Sequence, residues 1–321
     1  MDAFELVQAN LLSPVVLAFV LGLAATRLRS DLEFPRDLYS ALAIYLLLAV
    51  GLKGGVSLSV TPLSELWKPA LATLALGAAT PVWCIAILQQ LGRFSRVDAA
   101  AIAAHYGSVS AVTFLAASSY LDAAKVGYEG FMPALVALLE VPAIVVALLL
   151  ARRGEAASGS ARAALREVLT GKSIVLLVGG TLIGLVSGKS GVAPVAPLFE
   201  GLFRGALVLF LLEMGLVTGR RLGDLKRVGP FLIAFGVVMP LVHAVLGIGV
   251  AWLAGMSEGG AALLGVLAAS ASYIAAPAAV RIALPSANPT FSLTASLAVT
   301  FPFNLVVGIP LYHELAQRIY A

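Results

Sequence analysis

Long apolar runs separated by short polar segments make up most of the chain. A helix needs about 20 apolar residues to cross the hydrocarbon core of a membrane, and most of these runs have about that length. The sixth run is short and the ninth is long. We predict an all-α membrane protein with ten transmembrane helices, at roughly 11–27, 36–55, 67–91, 97–119, 128–150, 172–188, 198–219, 229–254, 258–284 and 290–316.

The composition favours a membrane protein and excludes several other classes. Hydrophobic residues make up 60% of the 321 positions and charged residues only 12%, whereas soluble domains carry roughly a quarter charged residues. The single cysteine, Cys84, excludes an internal disulfide and a multi-cysteine metal site. Residues 1–10 contain no lysine or arginine, so we interpret the first run as a retained helix and not as a cleaved signal peptide.

The basic residues lie at the ends of the apolar runs and not in one patch. The net charge of +4 therefore indicates membrane topology and not nucleic-acid binding. With the N-terminus outside, fifteen of the 21 Lys and Arg residues fall in inner loops, five fall outside, and Arg204 lies within a run. Because inner loops are enriched in Lys and Arg, we predict that both termini face outward.

The two halves of the chain resemble each other. A polar cytoplasmic linker at 151–171 separates a first repeat at 1–150 from a second at 172–321. Segment 99–110 aligns with segment 261–272 at an offset of 162 positions, and other runs match in the same order. Each half has an odd number of spans, so the second half crosses the membrane in the opposite direction. Inverted repeats are typical of secondary transporters, which bind substrate between interrupted helices near mid-membrane.

A Ser-x-Ser triplet occurs at equivalent places in the fourth and ninth runs. Ser108 and Ser110 align with Ser270 and Ser272, and Gly107 precedes the first pair. Glycine and serine weaken a regular helix, so we predict that both helices are discontinuous here and cross at mid-membrane. The alternative interpretation is that small hydroxyl residues only let neighbouring helices pack closely.

The residues after each triplet indicate where the helices restart. We predict restarts near Ala111 and Ala275, because Pro277 suits the first turn of a helix, where its missing N–H needs no partner. Helix N-termini offer unpaired N–H groups and positive partial charge to an anion. The ends of the preceding half-helices offer carbonyls to a cation such as Na⁺. Thr113 adds a further hydroxyl.

Glu140 is an acidic residue well inside the fifth run, just before Pro142. A carboxylate inside the membrane is costly and is a functional candidate by default. We interpret it as a cation ligand or proton carrier; the alternative is a protonated acid bonded to a neighbouring helix. The repeat pairs Glu140 with Thr300, and Asn304 follows one turn later. Tyr273, next to the second triplet, either supplies a hydroxyl or holds the break open.

Other chemistries find little support in the sequence. His105 and His243 have no second histidine or acid three or four residues away, so we predict structural roles for them. No Gly-x-Ser-x-Gly elbow or metalloprotease motif supports an intramembrane protease. We therefore expect no enzyme, no catalytic residue, and no cofactor or metal beyond Na⁺ as a coupling ion.

Several stretches carry a resemblance to a known family. They are "GYEGF" (127–131), "LLEVPAIV" (138–145), "YGSVSAVTF" (106–114), "ASASYIAAPAAVR" (269–281) and "LPSANP" (284–289). Over all ten predicted spans, the chain resembles the sodium-dependent bicarbonate transporters of cyanobacteria and other bacteria. The resemblance implies two inverted five-helix repeats arranged as core and gate domains, usually as a homotrimer. It also implies Na⁺-coupled bicarbonate uptake across a bacterial inner membrane, with periplasmic termini and with both ions held where the broken helices cross.

The resemblance and the residue patterns together predict two overlapping sets of site residues. The predicted substrate-binding residues are Gly107, Ser108, Val109, Ser110, Ser270, Ala271 and Ser272. The predicted coupling-ion residues are Ser110, Thr113, Glu140, Ser272, Tyr273, Thr300 and Asn304.

The chain departs from the cyanobacterial pattern in two places. Tyr273 stands where those transporters have Asp, and Ala275-Ala276-Pro277-Ala278 stands where they have Ser-Gly-Pro-Pro. The linker is also shorter than theirs. Because cyanobacterial members are regulated by a small nucleotide-sensing signalling protein, the resemblance implies a cytoplasmic protein of that kind as a candidate partner.

Three functional hypotheses follow. The leading one is a sodium-coupled bicarbonate symporter of the inner membrane, embedded in membrane lipid. The second is a proton- or sodium-coupled symporter of another small anion, such as a carboxylate, with Glu140 as the proton carrier. The third is a passive anion channel.

Overall fold

The structure of the chain, a computed structural model, describes residues 8, 10–152 and 160–321. Residues 153–159 of the predicted linker and most of the first ten residues lie outside this part. All regular elements within it are helical. The main helices are α1 Pro14–Arg27, α2 Arg36–Leu58, α3 Leu63–Gln90, α4 Arg96–Gly107, α5 Ala111–Ala124, α6 Met132–Arg152, α7 Ala161–Leu169, α8 Lys172–Val192, α9 Phe203–Arg221, α10 Leu225–Leu253, α11 Glu258–Ala269, α12 Ala275–Ala283 and α13 Pro289–Tyr320.

Helices occur at each of the ten predicted runs, with ends shifted by a few residues. In the described residues, seven helical stretches are long and apolar enough to cross a membrane by length and composition. Two shorter apolar helices, α1 and α11, add to these. One of the seven stretches, Phe203–Leu253, has 51 residues. At about 1.5 Å per residue it would be more than twice as long as the hydrocarbon core is thick, and it contains both α9 and α10.

Close packing joins α1 to α9 and α2 to α8, and α2 also contacts α9. Glycines allow these contacts, because a Cβ at Gly22 would overlap the backbone of α9 near Gly215. Gly51 of α2 meets Gly180 of α8 in the same way. Small residues that let helix backbones approach are typical of membrane helix interfaces. These four helices therefore form one packed group, the α1/α2/α8/α9 group.

The remaining long helices pack around α4 and α11. Helices α3 and α6 pack on α4, and α10 and α13 pack on α11, while α5 contacts α11. Both α4 and α11 are buried on every side over most of their length. A helix that is apolar all round belongs in the interior of a protein or membrane. These two helices are therefore central, and the sequence features at their ends lie inside the molecule.

The outer surface of the helices is apolar. On α8, Leu182, Ile183 and Val186 are 55%, 54% and 86% exposed. A contiguous apolar surface of this kind suits contact with lipid tails. The small helix α7 lies within the predicted linker and buries Ala164 and Val168, packing against α12.

Candidate functional site

Two of the membrane helices are interrupted where the Ser-x-Ser triplets occur. Helix α4 ends at Gly107 and α5 begins at Ala111. Helix α11 ends at Ala269 and α12 begins at Ala275. Both predicted restart positions are confirmed. We call residues 108–110 the first break and residues 270–274 the second break.

The two breaks have the same local structure at their first residue. Ser108 has φ −89° and ψ 174°, and Ser270 has φ −80° and ψ 164°, so each leaves the helix in an extended conformation. Each triplet then caps the next helix. Ser110 Oγ accepts a hydrogen bond from Thr113 N at 3.1 Å, and Ser272 Oγ accepts one from the first turn of α12 at 3.2 Å. Serine favours such caps because its short side chain reaches the unpaired N–H groups of a helix start.

The breaks lie against each other, although 162 positions separate Ser108 from Ser270 in the sequence. Ser110 N donates a hydrogen bond to Ser270 Oγ at 2.9 Å. In the other direction, Ser272 N donates to the carbonyl of His105 at 2.8 Å. The predicted proximity of the two triplets is therefore confirmed. We call this junction of the two breaks the crossing.

Four helix ends meet at the crossing. The N-termini of α5 and α12 carry positive partial charge there, and the C-termini of α4 and α11 carry negative partial charge. All four serines are buried, with at most 4% of Ser110 exposed. With little water to screen them, these dipoles act strongly on a charged group. The arrangement can hold a small anion at the N–H ends and a cation at the carbonyl ends. Val109 and Ala271, the middle residues of the triplets, add only backbone groups.

The first break lies against α6 close to Glu140. Ser108 Oγ donates a hydrogen bond to the Glu140 backbone carbonyl at 3.2 Å. A Cβ at Gly107 would lie 2.7 Å from Ala143 Cβ, so only glycine allows this close approach. The Glu140 side chain is 4% exposed, and its Oε2 has no hydrogen-bond partner among the described residues. An unpaired buried acid is costly and is a candidate for binding a cation or a proton.

Thr300 and Asn304 lie on α13 and already have protein partners. Thr300 Oγ1 donates to the Gly236 carbonyl at 2.7 Å and lies 2.7 Å from the Tyr106 hydroxyl. Asn304 Nδ2 donates to the carbonyl of Ala269 at 2.9 Å. The helix has π-helical turns at Ala295–Thr300 and Asn304–Gly308, a distortion found often at functional sites. Asn304 thus holds the last residue of α11.

Tyr273 fills part of the second break. Its ring packs edge-on against Phe301, with centroids 5.5 Å apart. Its hydroxyl has no hydrogen-bond partner in the described part of the chain. Both predicted roles therefore stay open, because the ring occupies the break and the hydroxyl is available.

The two histidines have structural contacts. His105 Nδ1 lies 2.7 Å from the Ala101 carbonyl and donates to it. Trp83 Nε1 donates to His243 Nε2 at 2.9 Å. Over residues 10–152 and 160–321, no group of three or more His, Cys, Asp and Glu side chains is close enough to hold a metal ion.

Two tyrosines that are not among the predicted site residues support the crossing. Because Thr300 gives its proton to Gly236, the Tyr106 hydroxyl donates to Thr300 and joins the end of α4 to α13. The Tyr312 hydroxyl donates to Asn304 Oδ1 at 2.8 Å. A signal was present, since Tyr106 adjoins Gly107 and Tyr312 follows Asn304 by two turns.

Comparison with known proteins places this arrangement in a family. The family model described as the Na⁺-dependent bicarbonate transporter superfamily matches residues 14–317 of the 321. A search of curated proteins finds no match. The matched region contains both breaks and the helices that pack around them, except for the last three residues of α13. This chain therefore belongs to the Na⁺-dependent bicarbonate transporter superfamily.

Proposed function

We propose that this protein is a sodium-coupled bicarbonate symporter of a bacterial inner membrane. The observation that carries the proposal is the reciprocal hydrogen bonding of the two breaks, through Ser110 to Ser270 and Ser272 to His105. It brings two helix N-termini and two helix C-termini together in a buried place. Family membership supports bicarbonate and Na⁺ as the two ions.

The architecture we propose is ten spans in two inverted five-helix repeats. Helices α4 and α11 have 12 residues each and begin 162 positions apart. Both are capped by a serine, Ser95 and Ser257, whose side chain accepts from the N–H three residues on. Helices α3 and α10 also begin 162 positions apart, and the pairing of α1 with α9 mirrors that of α8 with α2. Equal lengths, caps and packing support a repeated unit.

The anion is proposed to bind at the N-termini of α5 and α12. The amide N–H groups of Ser110, Thr113, Ser272 and Ala276 already donate to protein oxygens. The remaining N–H groups in the first turns of α5 and α12 would therefore face the oxygens of the anion. The backbone from Gly107 to Ser110 and from Ser270 to Ser272 would surround it. A planar oxyanion suits this place, because several N–H donors converge and the helix dipoles add attraction. The absence of bulk water strengthens each contact.

The coupling ion is proposed to bind at oxygen atoms beside the anion. The proposed ligands are the side chains of Ser110, Thr113, Glu140, Ser272, Tyr273, Thr300 and Asn304, of which Glu140 has an unpaired oxygen and Tyr273 an unpaired hydroxyl. A hard cation such as Na⁺ favours oxygen ligands and the carbonyl ends of half-helices. The cation and anion then partly neutralise each other, which favours binding both together.

A second candidate is proton-coupled symport of another small anion, such as a carboxylate. The unpaired, buried Oε2 of Glu140 favours it, because a buried carboxyl group can carry the proton without Na⁺. Under this alternative the crossing still binds the anion, and only the coupling ion changes.

The test is uptake of labelled bicarbonate into proteoliposomes that contain the purified protein. We expect saturable uptake that accelerates when an inward Na⁺ gradient is imposed. Equal uptake with and without the gradient rejects sodium coupling. Uptake driven by an inward proton gradient supports the second candidate, and flux that neither saturates nor couples indicates a passive anion channel. A panel of small anions in the same assay identifies the substrate.

The wider assembly is also proposed. The homotrimer and the periplasmic position of both termini are what the family resemblance implies. The α1/α2/α8/α9 group would be the gate and the remaining helices the core, a division that the helix packing supports. A cytoplasmic regulatory protein would act near the linker and α7. Size-exclusion chromatography with light scattering tests the trimer, and thiol labelling of terminal cysteines from each side tests the orientation.

A further inference from the structure

A cavity of ≈ 510 Å³ lies at the end of the molecule that the charge pattern assigns to the outside. We call it the outer cavity. Helix α2, helix α5, the α5–α6 loop and the segment before α9 line it. Phe114, Ser118 and Asp122 line it at intervals of four residues, so one face of α5 forms a wall. The same face begins at Ser110 in the first break, one turn before the buried Phe114.

The charged residues that line the outer cavity are Lys53, Asp122, Glu200 and Arg204. Lys53 Nζ lies 3.6 Å from Asp122 Oδ2. The Tyr128 hydroxyl donates to the other oxygen, Asp122 Oδ1, at 3.1 Å. Burial and the adjacent carboxylate raise the pKa of Tyr128, so its phenol stays protonated and donates. Both Asp122 oxygens are therefore engaged by the protein.

Lys53, unlike Asp122, keeps a hydrogen-bonding position that no atom of the described residues occupies. Its side chain is 60% exposed, and an ammonium group has three donors. The contacts of Lys53 with Asp122 Oδ2 and with the Tyr128 hydroxyl, to which it donates at 3.5 Å, use two of them and leave one. Lysine is a strongly hydrated point charge on a flexible stem, which suits exchangeable contacts with small anions. A concave site with apolar walls also focuses the field of such a charge.

We propose that the outer cavity is a second, weaker binding site for a small oxyanion, a monoanion of the carboxylate or bicarbonate class, with Lys53 as its ligand. The anion occupies it before reaching the crossing along α5. The direction of travel rests on the proposed function, whereas anion binding at Lys53 does not.

Lys53 and Asp122 have opposite roles in this proposal, which separates it from a structural ion pair. Removing the charge of Lys53 removes the ligand, so anion binding weakens. Removing the charge of Asp122 frees Lys53, so anion binding strengthens. If the pair only ties α2 to α5, the two substitutions act in the same direction.

The first experiment measures the electrostatic potential in the outer cavity and does not depend on transport activity. Gly127 lines the cavity, and a Cβ there meets no atom within 4 Å, so Gly127→Cys is a tolerated reporter. Cys84 is buried, and the wild-type chain measures its background. The readout is the rate of modification by an anionic methanethiosulfonate reagent divided by that of a cationic one. Val60→Cys, 81% exposed and not part of the lining, is the control.

We expect Lys53→Gln to lower this ratio at Gly127→Cys about three- to tenfold and Asp122→Asn to raise it by a similar factor. The ratio at Val60→Cys stays within about twofold in both variants, as expected for a screened, exposed site. Acetate or bicarbonate at millimolar concentration slows modification of Gly127→Cys, and Lys53→Gln abolishes that protection. Shifts of the same sign in both variants, or no protection by either anion, overturn the proposal.

The second experiment measures uptake with the same two substitutions. Lys53→Gln raises the KM for the transported anion about threefold at low ionic strength with little change in kcat, and Asp122→Asn lowers it. If the labelling ratios and the protection behave as expected while no anion is transported, anion binding in the outer cavity is supported and the proposed transport function is rejected. If transport is intact while the labelling ratios do not move, the outer site fails alone.

Discussion

The two breaks share a backbone design and differ in the side chains that surround it. Each begins with an extended serine and ends with a serine that caps the next helix. At the second break, Asn304 binds the Ala269 carbonyl, and both the N–H and the hydroxyl of Ser270 bind the Leu267 carbonyl. At the first break, α4 ends beside α6, where Glu140 has an unpaired carboxylate oxygen.

This difference in surroundings suits the two breaks to different ions. The Ala269 and Leu267 carbonyls at the end of α11 accept hydrogen bonds from side chains. At the end of α4, the His105 carbonyl accepts one from Ser272 N. The buried acid beside α4 is therefore the main difference between the two ends. The first break combines a helix C-terminus, which carries negative partial charge, with a buried acidic side chain. We therefore propose that cation binding centres on the first break, through Glu140, while both breaks present N-termini to an anion. Two breaks of similar backbone structure would then bind two ions of opposite charge.

The largest expected effect comes from Glu140→Gln, which keeps the shape of the side chain and removes its ability to ionise or to carry a proton. We expect a loss of about 100-fold in kcat/KM for ion-driven uptake, equal to roughly 2.7 kcal/mol. The measurement is initial uptake in proteoliposomes under Na⁺ and under proton gradients. Loss of only the proton-driven component indicates that Glu140 carries a proton.

The matched control for this substitution is Glu213→Gln. Glu213 in α9 is also buried and also has an unpaired Oε2 among the described residues, but it lies on a different group of helices. We expect kcat/KM for ion-driven uptake by the Glu213→Gln variant to stay within about threefold of the wild-type value. A larger loss at Glu213 than at Glu140 would contradict the assignment of the cation to the first break.

Asn304→Ala tests how much the hydrogen bonds of Asn304 stabilise the second break. It removes the bonds to Ala269 and Tyr312, and leaves two buried groups unpaired at about 1–3 kcal/mol each. We expect the apparent Tm to fall by about 5 °C, measured by thermal unfolding in detergent, together with slower uptake. Tyr312→Phe removes only one of these bonds, so it should produce the smaller shift of the two. An unchanged Tm in both variants shows that these two hydrogen bonds of Asn304 do not stabilise the fold.

Ser110→Ala and Ser272→Ala test the shared part of the breaks. Loss of a helix cap costs about 1 kcal/mol, so we expect each variant to weaken anion or Na⁺ affinity about five- to tenfold with normal expression. Ser95→Ala removes the equivalent cap at the distant end of α4, and should lower stability without changing affinity. Unchanged transport in both the Ser110→Ala and the Ser272→Ala variants would rule out these serines as site residues.

The smallest expected effect comes from Tyr273→Phe. The hydroxyl has no protein partner among the described residues, so its removal should leave the Tm unchanged. If the hydroxyl binds the coupling ion, the half-saturating Na⁺ concentration rises about two- to threefold. A Na⁺ dependence equal to that of the wild type assigns Tyr273 a packing role against Phe301 only.

Much of the local structure could be predicted from the sequence because it depends on short-range rules. Apolar runs of membrane length fixed where helices lie, and the triplet with the proline fixed restarts at Ala111 and Ala275. Helix ends were predicted less well: α3 begins at Leu63 and not near 67. Residues around 63 to 66 are mixed in polarity, so hydropathy does not mark this end, whereas the preceding Pro62 does.

Helical structure, suitability for a membrane and the two breaks at Ser-x-Ser triplets follow from the amino-acid sequence alone, because composition, periodicity and capping act between neighbours. The packing of the helices, in contrast, places Ser110 against Ser270 and Asn304 against Ala269, and it leaves Glu140 with an unpaired oxygen. These facts depend on which residues distant in sequence pack together. Two breaks that share a Ser-x-Ser triplet have different surroundings because α6 and α13 bring them different neighbours.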